Sequence, residues 1–78
     1  MSFAYDLLLD TSGLRCPLPL LKTKQSLSSL QGGQCLKVVA TDAGAWRDIP
    51  AFVALSPHKL LGQEQNDGQY CFYIEKGK

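Results

Sequence analysis

The chain switches between two hydrophobic periods. Phe3 to Leu9 is an apolar and aromatic run halted by Thr11-Ser12-Gly13, and it predicts a strand. From Pro17 or Pro19 to about Leu30 the period lengthens. Leu20, Thr23, Leu27 and Leu30 share one helical face, Leu21 and Lys24 flank it, and Lys22, Gln25, Ser26 and Ser29 lie elsewhere on the wheel. Gln31-Gly32-Gly33 is expected to end this helix, with glycine as its left-handed cap residue. Cys35 to Thr41 returns to period two, with Leu36, Val38 and Ala40 on one face and Cys35, Lys37, Val39 and Thr41 on the other.

A second helix is expected between Ala43 and Ser56, with Ile49, Phe52, Val53 and Ser56 as its inner stripe. Its start has two solutions. Asp42 as the cap leaves Pro50 in the helix interior, where it removes a hydrogen bond. Asp48 as the cap, after a short turn over residues 43–47, brings Pro50 into the first turn at no cost and satisfies both features. Pro57-His58 then stops the helix, and Lys59–Gln65 and Gln69–Glu75 form a hairpin about Asn66-Asp67-Gly68. The order is β-α-β-α-β-β. The strand–helix–strand opening must be parallel and is almost always right-handed. The fold class is therefore α+β, a two-layer α/β sandwich whose four-stranded mixed sheet carries both helices on one face.

Seventy-eight residues allow one domain, 1–78. Ordinary apolar content, 45%, excludes collagen-like and disordered chains, and charge is low, 19%. No apolar run approaches the ~20 residues of a membrane helix, and Met1 to Asp6 lack the basic and apolar regions of a secretory signal. A net charge of +1 exerts little pull on phosphate backbones, so no direct nucleic-acid contact is expected. Cys16, Cys35 and Cys71 form neither a disulfide framework nor a C-x-x-C pair. With His58 they are scattered singly, so neither a metal nor another cofactor is expected. Reduced thiols suit the cytoplasm. The tail, Lys76-Gly77-Lys78, is expected to fray.

Leu14-Arg15-Cys16-Pro17-Leu18-Pro19 falls where the first strand ends and the first helix begins. Open α/β sheets place ligands at this edge, outside the carboxyl ends of their strands, and Thr41-Asp42 must end on it too. A residue before proline is extended, the backbone state of a helix cap. A thiolate at Cys16 would then face the positive end of the helix dipole and neighbour Arg15, and both lower a thiol pKa. A helix starting at Pro19 leaves Cys16 one turn outside, with a weaker dipole effect. The two prolines present the sulfur in a fixed place, which suits a group handed between proteins. Cys35 and Cys71 sit in strand patterns and read as packing residues. His58 lies at the far helix-to-strand junction, which disfavours it as a base for Cys16. Trp46 and Arg47 follow Asp42 on the cysteine's edge. They read either as a docking patch with Asp42 and Asp48, or as a core tryptophan and an arginine paired with an acid.

The sequence resembles the TusA-like (SirA/YedF-type) sulfur-carrier family. The resemblance covers almost the whole chain. It rests on Leu9-Asp10-x-x-Gly13-Leu14-x-Cys16-Pro17-x-Pro19, then Thr41-Asp42, then Arg47-Asp48-Ile49-Pro50-x-Phe52, and the closing hairpin. Two positions depart from the family pattern. Leu18 stands where an acidic or other polar residue is common, and Ala43 where proline often follows the aspartate. The resemblance implies a carrier that holds sulfur as a persulfide on Cys16, supported by Arg15, Pro17, Leu18 and Pro19. It would receive the sulfur from a cysteine desulfurase or rhodanese-type donor and pass it to an acceptor protein, often toward 2-thiouridine in tRNA. A monomer with no membrane attachment is expected, acting as a carrier rather than as a stand-alone enzyme. The competing reading is a non-catalytic regulatory or RNA-binding module of similar fold.

Overall fold

The computed structural model describes residues 4–77, in the order β1 (Leu7–Thr11), α1 (Leu18–Ser28), β2 (Cys35–Ala40), α2 (Ala43–Ala54), β3 (Lys59–Asn66) and β4 (Gln69–Glu75). The sheet order is β1-β2-β4-β3. β1 runs parallel to β2, Leu7 opposite Leu36 and Thr11 opposite Ala40, while β4 is antiparallel to both of its neighbours. The α+β class and the four-stranded mixed sheet are thus as the patterning predicts.

One sheet face is the core. Leu36, Val38 and Ala40 of β2 and Phe72 and Ile74 of β4 are fully buried, and they meet Leu27 of α1 and Ala45, Ile49 and Val53 of α2. α1 packs over β1 and β2, and α2 over β3 and β4. Alternation on β2 and β4 made this face legible, because a strand covered on one side must repeat every second residue. The hairpin closes on Asp67 (φ 49°) and Gly68 (φ 80°), the paired left-handed conformation that matches strand twist.

Five expectations are corrected. β1 starts at Leu7: Ala4 to Asp6 are not strand, and Phe3 lies outside the described residues. Neither proposed start of α1 holds, since the helix begins at Leu18 with Pro17 at its cap position. α1 ends at Ser28 with Ser29 right-handed at the cap. The positive-φ Gly33 instead lies in the turn before β2, where its N–H donates to Lys76 O at 2.9 Å. The tail through Gly77 is held rather than frayed. Lys76 N–H donates to Gln34 O at 2.7 Å and Gly77 N–H to His58 Nδ1 at 2.9 Å, while Lys78 lies outside the described residues.

The fifth correction concerns α2, which starts at Ala43 and is capped by Asp42, not Asp48. Asp42 Oδ2 accepts from Gly44 N–H at 3.0 Å. Pro50 is therefore interior, and it leaves the carbonyl four residues earlier, that of Trp46, without its helical donor. Gln63 Nε2, from β3, donates to that carbonyl at 3.3 Å. A side chain from the neighbouring strand thus offsets the cost that argued for the later start.

Candidate functional site

The loop between β1 and α1 is tied to the end of β2. Leu14 N–H donates to Thr11 O at 3.1 Å, and Gly13 N–H donates to Thr41 Oγ1 at 2.8 Å. Leu18 N–H then donates to Arg15 O at 2.8 Å, turning the chain into α1. Cys16 sits on this turn, exposed. Leu18 is 43% exposed in the first turn of α1, while Pro19 is buried beneath it.

The sulfur does not cap the helix. Its partner comes from α2: Cys16 Sγ–H donates to Asp48 Oδ2 at 3.0 Å. The other oxygen, Asp48 Oδ1, takes Arg47 Nε at 3.3 Å. Asp42, the α2 cap, is close enough to act on the same thiol. Gly44 packs closely against the cysteine's turn, since a Cβ there would stand 3.3 Å from Cys16 Cβ and 2.8 Å from Asp42 Oδ2. The backbone state expected of a cysteine that precedes proline did not make Cys16 a cap, because the helix begins two residues later, at Leu18.

This geometry reverses the expected electrostatics. The hydrogen bond to Asp48 raises the Cys16 thiol above its ordinary pKa, helped by desolvation and by the negative charges of Asp48 and Asp42. Arg47, not Arg15, is the charge that pulls it back down. Asp48 shifts the opposite way: the bond from Cys16 and then that from Arg47 lower its pKa. One proton therefore rests on sulfur, shared toward a carboxylate that stays ionised.

The remaining candidates separate. Arg47 is on the surface beside the thiol, with 82% of its side chain exposed. Trp46 is half-buried, its ring 5.6 Å from Tyr70 and 6.1 Å from Phe72, so it packs on the core's margin. His58 accepts from the Gly77 N–H and lies 6.1 Å from the Phe52 ring, in the tail's anchorage rather than at the thiol. Cys35 is buried, and desolvation raises its pKa. Among the described residues no group of three or more His, Cys, Asp or Glu could hold a metal ion, and no helix is long and apolar enough to cross a membrane.

The family model described as Sulfurtransferase TusA matches residues 8–76. The chain belongs to this family. It is 40% identical over 72 residues to a sulfur carrier protein TusA of Allochromatium vinosum, covering 92% of this chain and 95% of that one. It is 42% identical over 72 residues to the Pseudomonas entomophila sulfur carrier protein TusA, covering 92% and 90%. In fold it is similar to the crystal structure of a SirA-like protein from Desulfitobacterium hafniense, with TM-score 0.79 and 19% identity over 94% of this chain and all of that one. Asp48 as the thiol's partner escaped the sequence reading. Its signal was the Arg47-Asp48 pair itself, which is freed for the site once Asp42 takes the cap.

Proposed function

We propose that this protein is a sulfur carrier that holds its cargo as a persulfide on Cys16. The observation that carries the reading is the exposed Cys16 sulfur, braced by Pro17 and 3.0 Å from the Asp48 carboxylate, in a chain of this family. A carrier of this kind works between a sulfur donor and an acceptor. The donor is a cysteine desulfurase or a rhodanese-type protein. The acceptor is a further thiol protein on a route such as tRNA thiolation, within a reducing cytoplasm that keeps the three cysteines free.

Each transfer is a sulfur–sulfur displacement. Cys16 loses its proton to solvent as the donor docks, Asp48 remaining ionised, and the thiolate attacks the outer sulfur of the donor's Cys–S–SH. A new bond forms to Cys16, the donor's S–S bond breaks, and the donor leaves as a thiolate that takes up a proton. An acceptor thiolate then attacks the outer sulfur of Cys16–S–SH and Cys16 regains its proton. No second cysteine of the carrier takes part. Leu18 and Arg47, exposed on either side of the sulfur's turn, are the surface that a visiting protein meets first. With Asp42 and Asp48 they form the docking edge. Trp46 supports it from below.

The test is mass spectrometry under non-reducing conditions after incubation with a desulfurase and cysteine. The protein gains the mass of one sulfur atom, mapped to Cys16. Cys35→Ala and Cys71→Ala still load and Cys16→Ala does not. Sulfur mapped to Cys35 or Cys71 instead overturns the assignment.

A further inference from the structure

The helices leave the second face of the sheet open, and this face carries a cluster unconnected with Cys16. Strand register builds it in two rows. Val39, Cys71 and Glu64 stand side by side across β2, β4 and β3, and Lys37, Tyr73 and Gly62 form the next row. The two rows border a depression. Its volume is about 480 Å³, and Lys37, Val39, Glu64, Gln65, Asn66, Gln69, Cys71 and Tyr73 line it. That size falls within the range of small-molecule sites.

The lining has a definite chemistry. Lys37 Nζ lies 5.3 Å from the Tyr5 ring centroid and 5.6 Å from that of Tyr73, so its cation is held at the depression by two aromatic faces. A hydrogen bond with Tyr73 raises the lysine's pKa and keeps it charged. Glu64 supplies a carboxylate on the β3 side of Cys71, and the side-chain amides of Asn66 and Gln69, on the same sheet face, supply donors and acceptors. Cys71 is a half-buried free thiol within this ring. One ligand class matches these groups together: a small peptide thiol, whose carboxylate meets Lys37, whose ammonium meets Glu64 and whose amides meet Asn66 and Gln69.

We propose that this face is a second thiol site, at which Cys71 forms a mixed disulfide with a low-molecular-weight peptide thiol steered by Lys37. The oxidant is the ligand's own symmetrical disulfide. The Cys71 S–H loses its proton to solvent, its thiolate attacks one ligand sulfur, a new S–S bond forms, and the ligand's S–S bond breaks. One ligand half leaves as a thiolate and is protonated. Cys71 is oxidised and that half is reduced. This site stands whether or not Cys16 carries sulfur, because the two thiols lie on different parts of the fold.

The test uses oxidised glutathione as the probe, on the full chain with Cys16→Ala to silence the exposed thiol. Intact mass and peptide mapping are expected to show one glutathionyl group on Cys71, and none on the Cys16→Ala/Cys71→Ser double variant. Lys37→Gln is expected to slow the reaction roughly threefold, the scale of a partly exposed ion pair. The same variant should leave reaction with uncharged hydroxyethyl disulfide unchanged. Circular dichroism confirms that each variant folds. Absence of the Cys71 adduct overturns the site, and equal slowing of both disulfides overturns the role of Lys37.

Discussion

Gly44→Ala is the sharpest probe of how the site is built. The added methyl would meet Asp42 Oδ2 at 2.8 Å, so that oxygen must move, yet it is the same oxygen that accepts the Gly44 N–H at 3.0 Å. Displacing it breaks the cap, worth about 1 kcal/mol. Against this, alanine in a helix gains up to about 1 kcal/mol over glycine. The two nearly cancel, and the expected change in Tm is smaller than the 4–8 °C that roughly 1 kcal/mol produces in a domain this size. Asp42→Ala alone has no such offset and should lower Tm by about that interval.

A double-mutant cycle separates these effects. In the Gly44→Ala background the cap is already lost, so Asp42→Ala should cost close to nothing, a coupling of about 1 kcal/mol. Thermal melts followed by circular dichroism measure all four proteins. The same methyl would also stand 3.3 Å from Cys16 Cβ and 3.6 Å from Sγ, so alkylation of Cys16 by a bulky maleimide should slow although stability holds. If Asp42→Ala lowers Tm equally in both backgrounds, the cap and the close approach are not linked as described.

Opposite shifts are expected from the two residues that act on the Cys16 proton. Asp48→Asn should move the pH profile of iodoacetamide reaction to lower pH, and Arg47→Gln to higher pH, because the carboxylate raises the thiol's pKa and the guanidinium lowers it; shifts of the same sign would sink the account. Burial lowers the pKa of His58 below 6.5, and its Nδ1 accepts from Gly77. Its contribution to stability is therefore present above pH 6.5 and lost as pH falls through the lower folded value. The urea midpoint should drop on acidification more in wild type than in His58→Gln. Gln63→Ala should cost roughly 0.5–1.5 kcal/mol by urea unfolding, and clearly less in a Pro50→Ala background, where the helix supplies its own donor to Trp46 O.

The strands and the layer order could be read from the sequence because they rest on alternation. Leu36-Val38-Ala40 and Phe72-Ile74 mark the face that the helices cover, and Asp67-Gly68 fixes the hairpin register. The Cys-Pro-x-Pro turn was legible for a similar local reason: proline dictates the backbone around it. Three things were hidden in tertiary contacts. Gln63 relieves Pro50 from another strand, and without it the Asp48 cap is the better local solution. Asp48 reaches Cys16 across 32 residues, a distance at which no spacing rule operates. The sign of the thiol's pKa shift follows from that contact, so dipole and neighbour arguments at the loop alone gave the wrong direction.

The α2 start and the state of the thiol are one problem. An aspartate at a helix cap spends its carboxylate on the helix's own N–H groups. Had Asp48 been that cap, Cys16 would have lacked its acceptor and the carboxylate would have faced the backbone. With Asp42 in the role, Asp48 sits within the helix, free to take the thiol on one oxygen and Arg47 on the other. Reactivity of a cysteine tracks its thiolate fraction, and accessible thiolates are the ones consumed by stray oxidants. Cys16 is accessible but proton-bearing, so the fold separates reach from ionisation. A carrier that waits empty between partners needs that separation. The group that would end it, by drawing off Asp48 or replacing its bond, is a docking protein that contacts Arg47 and Leu18 at the same edge.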